Sequence, residues 1–226
     1  MKITFNGHAT FTMESSSGKV MIDPFITDNP LATNKDLSRF DPDVILVTHG
    51  HGDHVADVEA IAKQSDSLVI TNYEVASWLG KKGVKTHPLN HGGKKKLDIG
   101  TVKYVNAIHT SGLPDGSYGG NPGGFVVWDD ACCYYHAGDT ALTLDMKLIP
   151  MTCPKLDFAI LPIGDNFTMG YEDAAIAAEF IECDKIIGCH YNTFGYIEID
   201  VDKARSAFKE KGKELILLDI EESIEL

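Results

Sequence analysis

Cysteine is sparse in this chain of 226 residues. The five present (Cys132, Cys133, Cys153, Cys183 and Cys189) are an odd number, and no two stand in C-x-x-C spacing. That pattern excludes a disulfide framework and points to reduced, mostly buried thiols, as expected of a cytoplasmic protein. Long apolar runs are also missing. Nothing approaches the roughly 20 residues of a membrane span, and Met1-Lys2-Ile3-Thr4-Phe5-Asn6-Gly7 is not the apolar stretch of a secretory signal. Positive charge is short too: 20 Lys and Arg stand against 33 Asp and Glu, a formal net charge of −13. A polyanion binder needs clustered cations, so no nucleic-acid or membrane partner is expected. The densest basic run, Lys94-Lys95-Lys96, reads as a solvated turn between two short strands. Acidity does not exclude a small anionic substrate, because bound cations supply positive potential locally.

No linker or low-complexity tail divides the chain, and 43% hydrophobic content is ordinary for a globular protein. Residues 1–226 are therefore expected to form a single domain. The chain opens with short alternating strands at Ile3–Phe5, Ala9–Met13 and Val20–Ile22. Val44–Val47 reads as a buried strand, and Val55, Val58, Ile61 and Ala62 recur at helical spacing after it. Leu68–Thr71 is a strand, and Val75–Leu79 part of a helix stopped near Gly80 and Gly83. Val102–Ile108, Phe125–Trp128 and Cys132–His136 read as strands. Phe158–Ile163, Ile186–His190 and Leu215–Leu218 are strands alternating with helices around Ala174–Ile181 and Ala204–Lys211. Strands followed by strand–helix units, twice over, predict an α/β (α+β) fold of two packed sheets with helices outside.

What the chain does have is histidine in one place. Thr48-His49-Gly50-His51-Gly52-Asp53-His54 puts three imidazoles and a carboxylate within six residues, directly after a buried strand. Neutral nitrogen donors and an anionic oxygen are what a divalent metal takes. Gly50 and Gly52 let the backbone turn sharply, so one turn has donors for two metals. A bimetal site needs more, and three further candidates stand at strand ends: His109, Asp139 and His190. Singly, each reads equally well as a core histidine or a helix-capping aspartate; together with His49–His54 they complete a coherent donor count. The glycine-rich stretch Ser111–Gly124 is long for a connection inside a compact domain and suits an active-site rim or lid, with a flexible hairpin tip as the alternative.

In this order, H-x-H-x-D-H, a lone His, Gly-Asp and a late His, the chain resembles the metallo-β-lactamase superfamily over essentially its whole length. Within it, Gly7-His8-Ala9, His136-Ala137-Gly138-Asp139-Thr140, Pro162-Ile163-Gly164-Asp165 and His190-Tyr191-Asn192-Thr193-Phe194 are similar to small metal-dependent hydrolases, with ascorbate-phosphate lactonase-like and phospholipase-D-type members as related branches. The resemblance implies a four-layer αββα sandwich with the site at one edge between the sheets. It implies that His49, His51 and His109 hold one metal, that Asp53, His54 and His190 hold a second, and that Asp139 bridges them. It also implies hydrolysis over redox chemistry, since iron-dependent oxygen reductases of the superfamily carry glutamate at the position of His51.

The donor set is nitrogen and oxygen without thiolate, so zinc, manganese, iron or nickel fit it, with zinc the default. Two such cations would lower the pKa of a water between them toward neutrality and polarise a carbonyl or phosphoryl oxygen. Asp53 is the expected group to orient that water or take its proton, and His8 a candidate proton donor to the leaving group. Asp23 is expected to orient a ligand imidazole, His136 to act structurally, and His87 and His91 to lie at the surface or rim. Asp165, Asn192 and Thr193 are candidate substrate contacts, and Cys189 should face away from the site. The expected substrate is a small-molecule ester, lactone, amide or phosphodiester. A ribonuclease-like phosphodiesterase and a non-catalytic, metal-stabilised binding domain are the alternatives, and the resemblance leaves a homo-oligomer open.

Overall fold

A computed structural model describes residues 1–226. The first half contains β1 (Lys2–Gly7), β2 (Thr10–Ser15), β3 (Gly18–Ile22), β4 (Val44–Leu46), α1 (Gly52–Val55), α2 (Val58–Ser65), β5 (Leu68–Thr71), α3 (Tyr73–Lys81) and β6 (Thr86–Pro88). The second contains β7 (Lys94–Leu97), β8 (Gly100–Asn106), β9 (Gly123–Trp128), β10 (Cys133–His136), α4 (Leu148–Thr152), β11 (Phe158–Pro162), α5 (Tyr171–Phe180), β12 (Lys185–Cys189), α6 (Val201–Glu210), β13 (Glu214–Ile216) and β14 (Ser223–Glu225).

The strands form two seven-stranded sheets, ordered β14-β1-β2-β3-β4-β5-β6 and β7-β8-β9-β10-β11-β12-β13. Each sheet has three antiparallel pairings followed by three parallel ones; the change falls at β3 in the first and at β10 in the second. Strands that face apolar side chains both ways must be covered on both faces, which is why β4, β5 and β11 are near-continuous apolar runs. One core lies between the sheets, around Phe11, Tyr104, Phe125, Tyr134 and Phe158. A second core lies between the second sheet and α4–α6, and a third between the first sheet and α2–α3. Three cores separate four layers, the αββα sandwich that the resemblance implies and the two packed sheets with outer helices that the pattern of elements predicts. No helix is long and apolar enough to cross a membrane, and all five cysteines are free.

Three local expectations change. Lys94–Lys96 is a strand and not a turn: β7 pairs antiparallel with β8 at the edge of the second sheet. Charged side chains there discourage pairing with another chain. The strand preceding His109 ends at Asn106, so His109 stands on a loop three residues beyond it. The helix expected after His54 begins earlier and breaks, because α1 already contains Asp53 and His54. The break falls at Asp57, whose buried carboxylate accepts the backbone N–H groups of Ile26 (2.6 Å) and Thr27 (2.9 Å). Those donors hold the segment after β3 against the helix pair.

Phe158 is wholly buried and stacks on Tyr134 with ring centroids 5.3 Å apart, at the centre of the inter-sheet core. Phe158→Ala should lower the unfolding free energy by about 3–5 kcal/mol, measured as a lower midpoint in urea. A loss below about 1 kcal/mol would mean that the sheets are not held together there.

Candidate metal centre

Every donor singled out in the sequence leaves the same end of the sandwich. The turn after β4 supplies His49 and His51, and α1 supplies Asp53 and His54. The loop after β8 carries His109, the turn after β10 carries Asp139, and His190 directly follows β12. Two of these positions need unusual backbone. His190 has φ +54°, and Gly138 has φ +64° with Thr48 and Gly123 packed where a side chain would start. Only glycine enters such a turn without strain, and it brings Asp139 inward.

The donors gather into two groups with a shared centre. Ligand atoms of His49, His51 and His109 lie within 4.8 Å of one another, as do those of His8, Asp53, His54 and His190. Between them stands Asp139. Its Oδ2 is 3.0 Å from His190 Nε2, 3.4 Å from His54 Nε2, 3.5 Å from His109 Nε2 and 3.9 Å from His49 Nε2. Thus one carboxylate oxygen faces two imidazoles from each group.

Burial and charge pull against each other here. Burial alone would raise the Asp139 carboxyl, but His190 and His54 beside it hold it well below the usual carboxylate range. Burial would likewise lower His54, yet the carboxylates of Asp139, Asp23 and Asp53 push it well above an ordinary histidine. Asp53, raised by burial, is held below its ordinary value by His54 and His8. Burial pushes His49 well down and lowers His51 and His109 as well. His49, His51 and His109 are thereby kept neutral and Asp139 and Asp53 ionised, the states in which they act as metal donors, whereas a cation at His54 would displace the proton that the surrounding carboxylates favour there.

Do these residues fit a metal? Buried polar atoms almost always find hydrogen-bond partners. Yet His54 Nε2, His190 Nδ1 and Asp139 Oδ1 are buried with none. His49 Nε2 and His51 Nδ1 stand 3.0 Å apart, two ring nitrogens converging with no carboxylate between them. Nitrogen and carboxylate-oxygen donors gathered this closely, with unpartnered polar atoms among them, fit divalent cations of the zinc type.

A further layer fixes which nitrogen of each ring is available. Asp23 is wholly buried at φ +45°. Its Oδ2 accepts His54 Nδ1–H at 2.8 Å and Thr48 Oγ1–H at 2.6 Å, while Oδ1 accepts the Thr48 backbone N–H at 2.8 Å. With its own hydrogen committed, Thr48 Oγ1 accepts His49 Nδ1–H at 3.0 Å. One carboxylate thereby commits Nδ1 of both His54 and His49 and leaves their Nε2 as the nitrogens that face Asp139 and can take a metal. His136 is buried away from the donors; its Nε2–H donates to the Ala9 carbonyl at 3.3 Å, and its Nδ1 accepts Gly138 N–H at 3.1 Å. It braces the turn that carries Asp139.

Ser111–Gly124 is a fixed wall rather than a loose tip. Leu113 is buried, Ser111 Oγ accepts Gly50 N–H at 3.0 Å, and Asn72 Nδ2 donates to the Gly119 carbonyl at 2.8 Å. At the outer edge Trp78 Nε1 donates to Asp115 at 2.8 Å. A cleft of about 500 Å³ opens between this wall and His109, lined by Thr110, Ser117, Tyr118 and Asn121.

The remaining candidates are placed as follows. His8 is buried within the second donor group, with burial pushing it down to about 4. Thr193 is buried with Oγ1 at 2.9 Å from His8 Nδ1. Asn192 and Asp165 are exposed; their carboxamide and carboxylate oxygens accept the backbone N–H of Ile199 and Asn166. His91 stacks on Tyr104 and contacts the Pro122 carbonyl, and His87 lies in β6; neither joins the donors. Cys189 packs in the inter-sheet core. Three residues escaped the sequence reading: Thr48 and Ser111, which lock the metal turn, and Phe25, whose ring lies 5.5 Å from that of His8. Thr48 stood in view beside the motif, but only the packed structure shows that it relays Asp23 to His49.

Comparison with known proteins gives the chain's family. The model of the Beta-lactamase superfamily domain matches residues 2–190. A UPF0173 metal-dependent hydrolase of Christiangramia forsetii is 59% identical over 227 residues, covering all of both chains. One of Flavobacterium johnsoniae is 58% identical over 226 residues, again along both full lengths. Among solved structures, Igni18, a metallo hydrolase of Ignicoccus hospitalis, superposes with a TM-score of 0.89 at 30% identity, covering 99% of this chain and 97% of its own.

Asp23→Ala removes the acceptor that sets two imidazoles without removing any donor of the metal groups. It should lower zinc affinity about 10–100-fold, read by competition with a chromophoric chelator. Unchanged affinity would show that the tautomers are set by something else.

Proposed function

The chain belongs to the Beta-lactamase superfamily as a metal-dependent hydrolase, and from that premise we propose that it cleaves a small-molecule ester, lactone, amide or phosphodiester at a centre for two divalent cations. The observation that carries this reading is Asp139 Oδ2, which lies within 4 Å of Nε2 of His49 and His109 on one side and of His54 and His190 on the other. A single-ion site needs no carboxylate shared between two donor groups. His49, His51 and His109 would hold one ion, Asp53, His54 and His190 the other, and Asp139 both. The donor chemistry favours zinc, and manganese, iron or nickel fit the same set.

Bound cations would acidify water and withdraw charge from the bond under attack. The chain's own residues do the rest. Asp53 is only half-buried, unlike Asp139, and its carboxyl stays ionised; it is the group that can orient an attacking water and take its proton. Thr110, Ser117, Tyr118 and Asn121 offer neutral hydrogen-bonding groups to a substrate lying in the cleft beside His109. Asp165 and Asn192, exposed beyond their strand ends, are candidate contacts on the opposite rim. No cation lines the cleft, so an anionic substrate would depend on the metals for its charge complement. The free thiols suit a reducing compartment, and we place the enzyme in the cytoplasm.

The test is a panel of chromogenic esters, lactones and phosphodiesters with the zinc-loaded protein, before and after chelation. At least one class should turn over, and chelator should abolish it. Asp139→Ala and His54→Ala should each reduce that turnover to background, with elemental analysis showing fewer than two ions per chain. Full activity in either variant, or two tightly held ions in Asp139→Ala, would overturn the shared-carboxylate reading.

A further inference from the structure

His8 stands where a residue of its kind is costly. It lies between Gly7 (φ +102°) and Ala9, at the irregularity where β1 turns into β2, and itself adopts φ +58°. A non-glycine residue in the left-handed region is strained, and such positions persist where the surroundings over-determine them. Here they do. The His8 carbonyl accepts His190 N–H at 2.8 Å, and the Phe25 and Phe194 rings stand edge-on to the imidazole at 5.5 and 5.3 Å. The side chain is wholly shut off from solvent.

Both ring nitrogens have partners. Nε2 is 3.1 Å from Asp53 Oδ2, and Nδ1 is 2.9 Å from Thr193 Oγ1. An ionised carboxylate can only accept, so Nε2 carries a hydrogen and donates it. The Thr193 hydroxyl then donates to Nδ1; its other acceptor, the Tyr191 carbonyl, is 3.4 Å away, beyond ordinary O–H···O length. The Asp53 oxygen that His8 holds is the one that faces His54 Nε2 and His190 Nε2, at 3.9 Å each.

We propose that His8 is the positioning residue of Asp53: Thr193 fixes its tautomer, and its Nε2–H aims the Asp53 carboxylate at the second donor group. This rests on the reading of Asp53 as a donor of that group, and it replaces the expectation that His8 hands a proton to the leaving group. The hydrogen such a step would use is already given to Asp53, and the aromatic walls close the ring from the cleft. No bond changes at His8 in this role. It acts before the reaction, by removing rotamers that Asp53 would otherwise visit.

The test combines a spectroscopic and a binding measurement on the full chain. Imidazole nitrogen shifts of His8 should show a protonated Nε2 and a bare Nδ1, in both the metal-free and the zinc-loaded protein. Thr193→Val should mix the tautomers, while Thr193→Ser should preserve the pattern. His8→Phe keeps the ring bulk and loses both nitrogens; it should weaken the second zinc about 10–100-fold, as removal of such a supporting partner does elsewhere. His8→Gln, whose amide offers an N–H near the place of Nε2, should restore most of that loss. A bare Nε2 in the zinc-loaded protein would make His8 a ligand and overturn the proposal. Wild-type affinity for the second zinc in His8→Phe would overturn it too, above all if only substrates with poor leaving groups slowed. Should the wild-type protein take up no zinc, the proposed function fails, whereas the metal-free tautomer of His8 still decides whether it holds Asp53.

Discussion

One buried carboxylate oxygen facing four imidazole nitrogens is the constraint on which the rest of the structure turns. Placing Asp139 and four histidines in a shared, nearly solvent-free space is expensive unless every charge is matched and every ring correctly oriented. Within this cluster His54 Nε2, His190 Nδ1 and Asp139 Oδ1 have no hydrogen-bond partner, where buried polar atoms almost always find one. The scaffold holds this arrangement because its donors come from four separated strand ends, each anchored in a sheet packed on both faces. Metal binding to such a site adds to folding stability instead of creating the fold.

The sheets explain why the donors meet. Each changes from antiparallel to parallel pairing at its fourth strand in sheet order, β3 in one and β10 in the other. The residues just beyond those strands are Asp23 and Asp139, the two most deeply buried carboxylates of the centre. Parallel strands all point their carboxyl ends the same way, so the loops after β4 and β12 are delivered to the same edge. The two halves then diverge in chemistry. After β4 comes the histidine turn, whereas after β11 comes Gly164-Asp165, whose glycine has no room for a side chain against the His190 carbonyl. One half supplies His49, His51, Asp53 and His54, and the other supplies His109, the Asp139 carboxylate between the groups and the late His190.

How much of this the sequence carried depends on how local each signal is. The His49–His54 turn was legible because its donors are neighbours in the chain, and the layers because apolar runs alternate with helical spacing. His109, Asp139 and His190 could be picked out only as polar residues at strand ends, and their convergence is a property of sheet order. What stayed hidden was long-range and polar. Lys94–Lys96 looks like a solvated turn because edge strands carry charge, and β7 is such an edge. The break at Asp57 depends on backbone donors about 30 residues earlier. Ser111–Gly124 reads as loose from its glycines, yet Leu113, Asn72 and Trp78 hold it, and none of those contacts is local. Thr193 looks like a substrate contact from its place beside His190, but in the fold it turns toward His8.

The supporting hydrogen bonds have a common logic. A histidine donates metal-binding capacity only through a nitrogen without a hydrogen, so each ring must be told which nitrogen that is. Asp23 does this for His54 directly and for His49 through Thr48, reaching one ring in each donor group from a single buried side chain. The chain of acceptance runs in one direction: imidazole to hydroxyl, hydroxyl to carboxylate. A neutral amide in place of Asp23 would fill the same space but offer one acceptor oxygen where the present arrangement uses two. His8 and Thr193 repeat the device in reverse, a hydroxyl donating to a ring so that the ring must donate onward to Asp53. The same short alphabet of hydroxyl, imidazole and carboxylate is therefore used twice. In one case it frees a nitrogen to bind, and in the other it keeps a nitrogen from binding so that it can point an oxygen. That distinction depends on which partner can only accept, and in both cases the partner is an aspartate.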